Sequence, residues 1–239
     1  MVAEYAEARD RKIISTGNVE VDKKIGGGIP QGSLTLIEGQ SDAGKSVVSQ
    51  QFIWGALQAD MQVVVYTTEN TVRSLLKQMA SLSLDVTDYF LLGQLNIYQV
   101  PASFDEATGH SAFALLEAHI ASLPSSDVIV VDSLTPFVSH AGEQETLSFF
   151  SRVKEVCDDD KTLILTLHSH AFSEPMFIRI RSICDAHLRL RVEEVGEQLV
   201  KVLEAAKVRG AEKSTGNIIV FDVEPGIGMR IVPVSKAKA

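Results

Sequence analysis

Leu34-Thr35-Leu36-Ile37-Glu38-Gly39-Gln40-Ser41-Asp42-Ala43-Gly44-Lys45-Ser46-Val47 is the stretch on which the reading of this chain turns. Residues 34–37 form a nearly continuous apolar run, as expected of a short strand covered on both faces. Residues 39–46 then fit Gly-x4-Gly-Lys-Ser/Thr with no mismatch, and a helical pattern runs from 46 to 58. A strand, a glycine-rich loop and a helix in that order form the context in which this spacing binds phosphate. Glycines let successive backbone N–H groups turn inward on an anion, and the following helix adds the positive end of its dipole. Lys45 supplies a point charge for the β and γ phosphates, and the Ser46 hydroxyl can ligate Mg²⁺. A chance glycine-rich turn before a helix is the bland alternative, and the flanking strand argues against it. Gly39, Gln40, Ser41, Asp42, Ala43, Gly44, Lys45, Ser46 and Val47 are therefore the candidate nucleotide-binding residues.

Outward from this loop, apolar runs at 63–67, 128–132 and 163–167 read as further short strands. Helical patterns lie between them at 72–82, 113–123 and 146–157. Such alternation argues for an α/β fold with a parallel sheet and crossover helices. After Arg179 the rhythm changes: strand-like runs at 187–192, 199–207, 218–223 and 229–234 follow one another closely. Turn signals at Gly196, 210–216 and 224–228 separate them, which predicts antiparallel hairpins extending one sheet edge. Segment 94–110 resists a simple reading, since Pro101 interrupts it and 103–109 looks like a surface loop. Residues 1–10 and 236–239 read as loose termini. With no internal repeat, low-complexity tract or composition shift, residues 1–239 read as one domain.

Composition excludes several classes. With 45% apolar and 22% charged residues, the 239-residue chain is neither disordered nor collagenous nor a coiled coil. Its apolar runs fall well short of the ~18–20 residues that cross a bilayer, so any membrane association is expected to be peripheral. No secretory signal is visible. Thirty-one acids against 22 bases leave a net charge of −9, a poor balance for nucleic-acid binding, and the one dense basic stretch is 179–191. Cys157 and Cys184 lack metal-ligand spacing and read as buried thiols in a reducing cytoplasm.

A magnesium-bound nucleotide also needs an acid at the carboxyl end of a neighbouring strand. The run Asp127-Val128-Ile129-Val130-Val131-Asp132 ends in one, so Asp132 is the second metal candidate beside Ser46, acting directly or through water. Hydrolysis would need a carboxylate to orient the attacking water. Glu69, just past the strand at 63–67, is the candidate; a helix-start carboxylate favoured by the dipole is the equally available structural role.

Thr16-Gly17, Asp22 and Gly26-Gly27-Gly28-Ile29-Pro30-Gln31-Gly32-Ser33, running into the phosphate loop, resemble the KaiC-type branch of the RecA-like ATPases. The resemblance continues through Val65-Tyr66, Asp132-Ser133 and Lys207-Val208-Arg209-Gly210 and covers nearly the whole chain. Within that branch, Thr67-Thr68-Glu69-Asn70 and Leu167-His168-Ser169-His170 are similar to the short accessory ATP-binding subunits of the archaellum motor. The resemblance implies a RecA-like fold, ATP with Mg²⁺ as ligands, and a hexameric ring with nucleotide between subunits. It implies that Lys207 and Arg209 reach across to a neighbour's phosphate as trans fingers, and that His168 senses the γ-phosphate. It also implies partnership with the hexameric motor ATPase FlaI and with a cytoplasmic ring or scaffold at the membrane platform, giving a cytoplasmic protein peripherally attached to a membrane-bound motor. One position departs from the pattern. KaiC-type ATPases carry a glutamate pair after this strand, and Asn70 replaces the second, so ATP is expected to bind with slow or no hydrolysis. An active KaiC-like signalling ATPase is the first alternative. A RecA-like DNA-dependent ATPase is the second; it would want basic loops, and with this acidic balance DNA is not an expected partner.

Overall fold

The computed structural model describes residues 13–101, 112–123, 126–139, 141–195, 198–211 and 218–232. The expected loop at 103–109, the termini 1–10 and 236–239, Gly196 and most of the 210–216 turn lie outside them. In chain order the elements are β1 (Ile13–Ile14), α1 (Val19–Ile25), β2 (Ile29–Pro30), β3 (Leu34–Gly39), α2 (Lys45–Gln58), β4 (Val63–Thr67), α3 (Val72–Ser81), α4 (Thr87–Leu91) and β5 (Leu95–Gln99). They continue with α5 (Ala112–Ser122), β6 (Val128–Asp132), α6 (Thr135–Val138), α7 (Glu143–Cys157), β7 (Thr162–His168), α8 (Glu174–Ile183), β8 (Ala186–Val195), β9 (Gln198–Val208), β10 (Ile218–Glu224) and β11 (Gly228–Ile231).

Nine of the strands form one sheet in the order β11-β10-β9-β8-β3-β7-β6-β4-β5. From β8 through β5 every pairing is parallel, and β9, β10 and β11 add antiparallel strands at the other edge. The apolar runs of β3, β4, β6 and β7 are buried along their length because helices cover both faces. Ile37, Val63, Val65, Val130 and Ile164 pack toward α2, with Phe52 and Ile53 among the residues they meet. Leu34, Leu36, Val131, Leu163 and Leu165 pack on the opposite face against Phe113, Phe149, Phe150 and Phe177 from α5, α7 and α8. Burying side chains of this size stabilises by about 1.5–3 kcal/mol each, so the two layers hold the sheet from both sides.

Two strands depart from the sequence reading. Segment 94–110 begins with the edge strand β5, whose outward positions are exposed. The first of the late strands, β8, is parallel to β3, so the antiparallel addition starts at β9. The basic stretch 179–191 is divided between α8 and β8. There Arg181 pairs with Glu38 and Glu174, and Arg191 with Glu193 and Glu204. Two of the four arginines in this stretch are therefore matched by carboxylates. Cys157 and Cys184 are both buried, and burial pushes each thiol up to about 12. Among the described residues no helix is long and apolar enough to cross a membrane.

Candidate functional site

Parallel pairing sets the carboxyl ends of β3, β7, β6 and β4 side by side. Gly39 is level with His168, and Thr67 is level with Asp132. The chain leaves β3 at Gly39, rounds residues 40–44 and enters α2 at Lys45. Gly39 lies so close to β8 that a Cβ on it would stand 2.8 Å from the Leu190 carbonyl oxygen. Gly44 adopts φ +94°, and a Cβ there would meet the Phe221 ring at 3.0 Å. Gly39 is thus required by the neighbouring strand, and Gly44 by its left-handed backbone as well as by Phe221.

The loop opens on a cavity of about 560 Å³. Ser41, Asp42, Gly44, Lys45, Ser46 and Val47 line it from the loop, and Glu69, Ser133, Thr135 and His168 line it from the neighbouring strand ends. Gly39, Gln40 and Ala43 do not face it. Gln40 offers its carbonyl oxygen to the Lys45 ammonium at 2.8 Å, and Ala43 packs into the core. Asp132 sits behind the cavity, buried, and Thr166 Oγ1 donates to its Oδ1 at 2.6 Å. Burial pushes its carboxyl above the usual range, while hydrogen bonds from Thr166 and Ser46 and the charge of Lys45 pull the other way. A cis peptide joins Asp132 to Ser133, and Thr68 holds that turn, its hydroxyl accepting from Ser133 N–H at 3.0 Å.

Burial lowers the Lys45 ammonium from its ordinary value, opposed by the charges of Glu69, Asp132 and Asp42. Glu69 is raised by burial and by Asp132, with Lys45 opposing, which makes it a stronger base than a free carboxylate. His168 donates to or accepts from Ser41 Oγ across 3.2 Å. Burial lowers its imidazole, and Lys45 and His170 lower it further. Asn70 does not line the cavity; its amide oxygen accepts from Ser74 Oγ at 3.0 Å, at the start of α3.

Lys207 and Arg209 lie elsewhere in the same chain. Val208 pairs with Ala186, which pairs with Thr35, so they stand at the amino end of β3, about 13 Å along the strand from Gly39. The Lys207 ammonium donates to the carbonyls of Arg181, at 2.9 Å, and Cys184, at the end of α8. Arg209 is exposed over 58% of its side chain, 3.9 Å from Asp185.

Lys201, Gln78 and Val223 also line the cavity, and sequence reading passed over all three. Lys201 pairs with Phe221, the residue under Gly44, and its Cδ would be 3.5 Å from a Cβ at that glycine. The β10–β9 register alone brings it there, and no local motif marks it. The donor set suits a magnesium-bound triphosphate. A recessed acid and a serine hydroxyl adjoin an ammonium at the start of α2, beneath the loop.

Comparison with known proteins agrees with this geometry. Residues 14–236 match the family model described as the ATPase KaiC. An archaeal flagellar ATP-binding protein FlaH from Sulfolobus acidocaldarius is 35% identical over 231 residues, covering 95% of this chain and all of that protein. The crystal structure of flagellar accessory protein FlaH from Methanocaldococcus jannaschii superposes with a TM-score of 0.80 at 28% identity, over 93% of this chain and all of that one. A KaiC-like protein from Pyrococcus horikoshii shares the fold, with a TM-score of 0.74 at 22% identity over 94% of this chain and all of that one. The chain therefore belongs to the KaiC family of RecA-like ATPases, and within it to the FlaH branch.

Proposed function

We propose that the protein is an ATP-binding regulatory and assembly subunit of an archaellum motor, one domain throughout, holding Mg-ATP with slow or no hydrolysis. The observation that carries this reading is the convergence of Lys45, Ser46, Glu69 and His168 on one cavity, with Asp132 directly behind it. The names of its FlaH relatives supply the setting.

In this reading the N–H groups of the loop and the α2 dipole hold the β and γ phosphates, and Lys45 leaves the Gln40 carbonyl to meet them. Ser46 and Asp132 would hold Mg²⁺, which when bound would neutralise phosphate charge. Asp132 is recessed and already hydrogen-bonded, so it acts most readily through a water. His168 touches Ser41 of the loop and lines the same space, which suits a γ-phosphate sensor. Glu69 is the base available to a water. Its raised basicity favours that role, and Asn70, an amide turned toward Ser74, supplies no second acid.

Arg209 is exposed and far from its own loop, its side chain held by long contacts to Asp185 and the Ser182 carbonyl. In a hexameric ring it would turn from them to a nucleotide bound to a neighbouring copy. Lys207 reaches that neighbour only by leaving α8. Nucleotide bound between copies links ATP to assembly, and assembly to docking on the hexameric motor ATPase and its cytoplasmic ring or scaffold at the membrane platform. The protein is then cytoplasmic and peripheral to the membrane. Steady-state phosphate release tests the hydrolysis claim: turnover falls far below the common enzyme median of ~10 per second, and Glu69→Gln removes what remains. Wild-type turnover at that median would instead favour the reading as an active KaiC-like ATPase.

A further inference from the structure

Glu38, the residue before the first loop glycine, follows Leu34 and Leu36 on the face of β3 that α7 and α8 cover, and it is 2% exposed. Arg181 grips it with two parallel hydrogen bonds, Nε to Oε2 at 2.9 Å and Nη2 to Oε1 at 2.8 Å. His187 Nε2 lies 2.9 Å from Oε2. Arg181 belongs to the last turn of α8, where its guanidinium lies 4.9 Å above the Phe177 ring and also binds Glu174 at 2.6 Å. The end of the same helix is capped by Lys207, whose ammonium takes the carbonyl of Arg181 itself and that of Cys184. Terminal helix carbonyls have no partner within the helix, so this cap fixes the last turn.

A continuous route follows. Lys207 holds the backbone of Arg181, the side chain of Arg181 holds Glu38, and Glu38 is bonded to Gly39. Replacing a buried ion network by well-packed hydrocarbon is often neutral or stabilising, so stability alone gives no reason for charge in this apolar row. Its place beside the loop gives one. We propose that Lys207 is a positioning residue for the phosphate loop of its own subunit, acting through α8, Arg181 and Glu38. The proposal rests on the reading of that loop as the nucleotide site, and it is separate from any role of Lys207 across an interface. It has one consequence in a ring: a neighbour's phosphate that drew Lys207 away would release α8 and slacken the loop, so adjacent sites would be linked reciprocally.

The test is a double-mutant cycle on the full chain, with binding of a non-hydrolysable Mg-ATP analogue read by calorimetry and thermal midpoints recorded alongside. Lys207→Met and Arg181→Met should each weaken binding about three- to tenfold, and the double variant no more than either single one. Glu38→Gln in place of Arg181→Met should repeat the pattern, and Lys207→Arg should retain most of the affinity. A residue of merely structural importance would lower the thermal midpoint and leave affinity unchanged. Unchanged affinity in Lys207→Met, or losses that multiply in the double variant, would overturn the proposal. Two further arms keep it distinct from the readings around it. Lys45→Ala binding as wild type does would mean that the loop is not the site, and the proposal would fall with that reading. Arg209→Ala assembling as wild type does would sink the cross-interface finger alone and leave the cycle to decide.

Discussion

Glu38 stands where the alternation of β3 calls for another leucine, and its charge state follows from its surroundings. Burial would raise its carboxyl, but the hydrogen bonds from His187 and Arg181 more than offset that and hold it at about 2, against an ordinary 4.5. A depressed carboxylate stabilises the fold above its unfolded value and loses that contribution as pH falls toward the folded one. Urea unfolding of wild type and Glu38→Gln should therefore differ by about 3 kcal/mol at pH 7. The gap should close between pH 4.5 and 2; a gap that ignored pH would contradict the assignment. Gly44 tests the loop at the same level. Gly44→Ala places a methyl against Phe221 at φ +94°, and nucleotide affinity should fall with a stability loss of about 1–3 kcal/mol. Lys45, Ser46 and Asp132 were readable from sequence because a loop motif and a strand end are local patterns. Glu38 and Lys201 were not, because their partners lie far along the chain and only sheet register unites them.

Among the elements, the entry segment separates residues that mark the family from residues that touch the site. Asp22 accepts from Thr16 N–H at 2.8 Å and Thr16 Oγ1 at 2.7 Å, tying the turn after β1 to α1. Neither residue lines the cavity. Asp22→Ala should cost about 1–3 kcal/mol in denaturant unfolding while leaving nucleotide affinity within twofold; a matching loss of affinity would place Asp22 in the binding machinery. The strands β3, β4, β6 and β7 were legible because a strand buried on both faces is a nearly unbroken apolar run. By contrast, β5 is a half-exposed edge strand, and α8 carries charges that pair with other elements, so neither shows a clean period in sequence. The late hairpins were visible by spacing, but the direction of β8 depends on the α8 crossover, and sequence pattern alone did not reveal that helix.

For the molecule as a whole, the layout puts the phosphate loop at one end of the sheet and Arg209 at the other. In the proposed ring, head-to-tail packing would bring those ends together, and ligand bound between copies would favour the assembly by mass action. Light scattering should show Mg-ATP shifting the wild type toward a larger species. Arg209→Ala should weaken that shift more than it weakens binding, and Arg209→Lys should rescue it in part, since an ammonium lacks the planar fork. All of this depends on the phosphate loop being the nucleotide site. Calorimetric titration of Mg-ATP into wild type, Lys45→Ala and Asp132→Ala tests that claim most directly. The account predicts saturable binding by wild type and loss of tight binding in both variants, each still cooperatively folded. Wild-type affinity in either folded variant would contradict it.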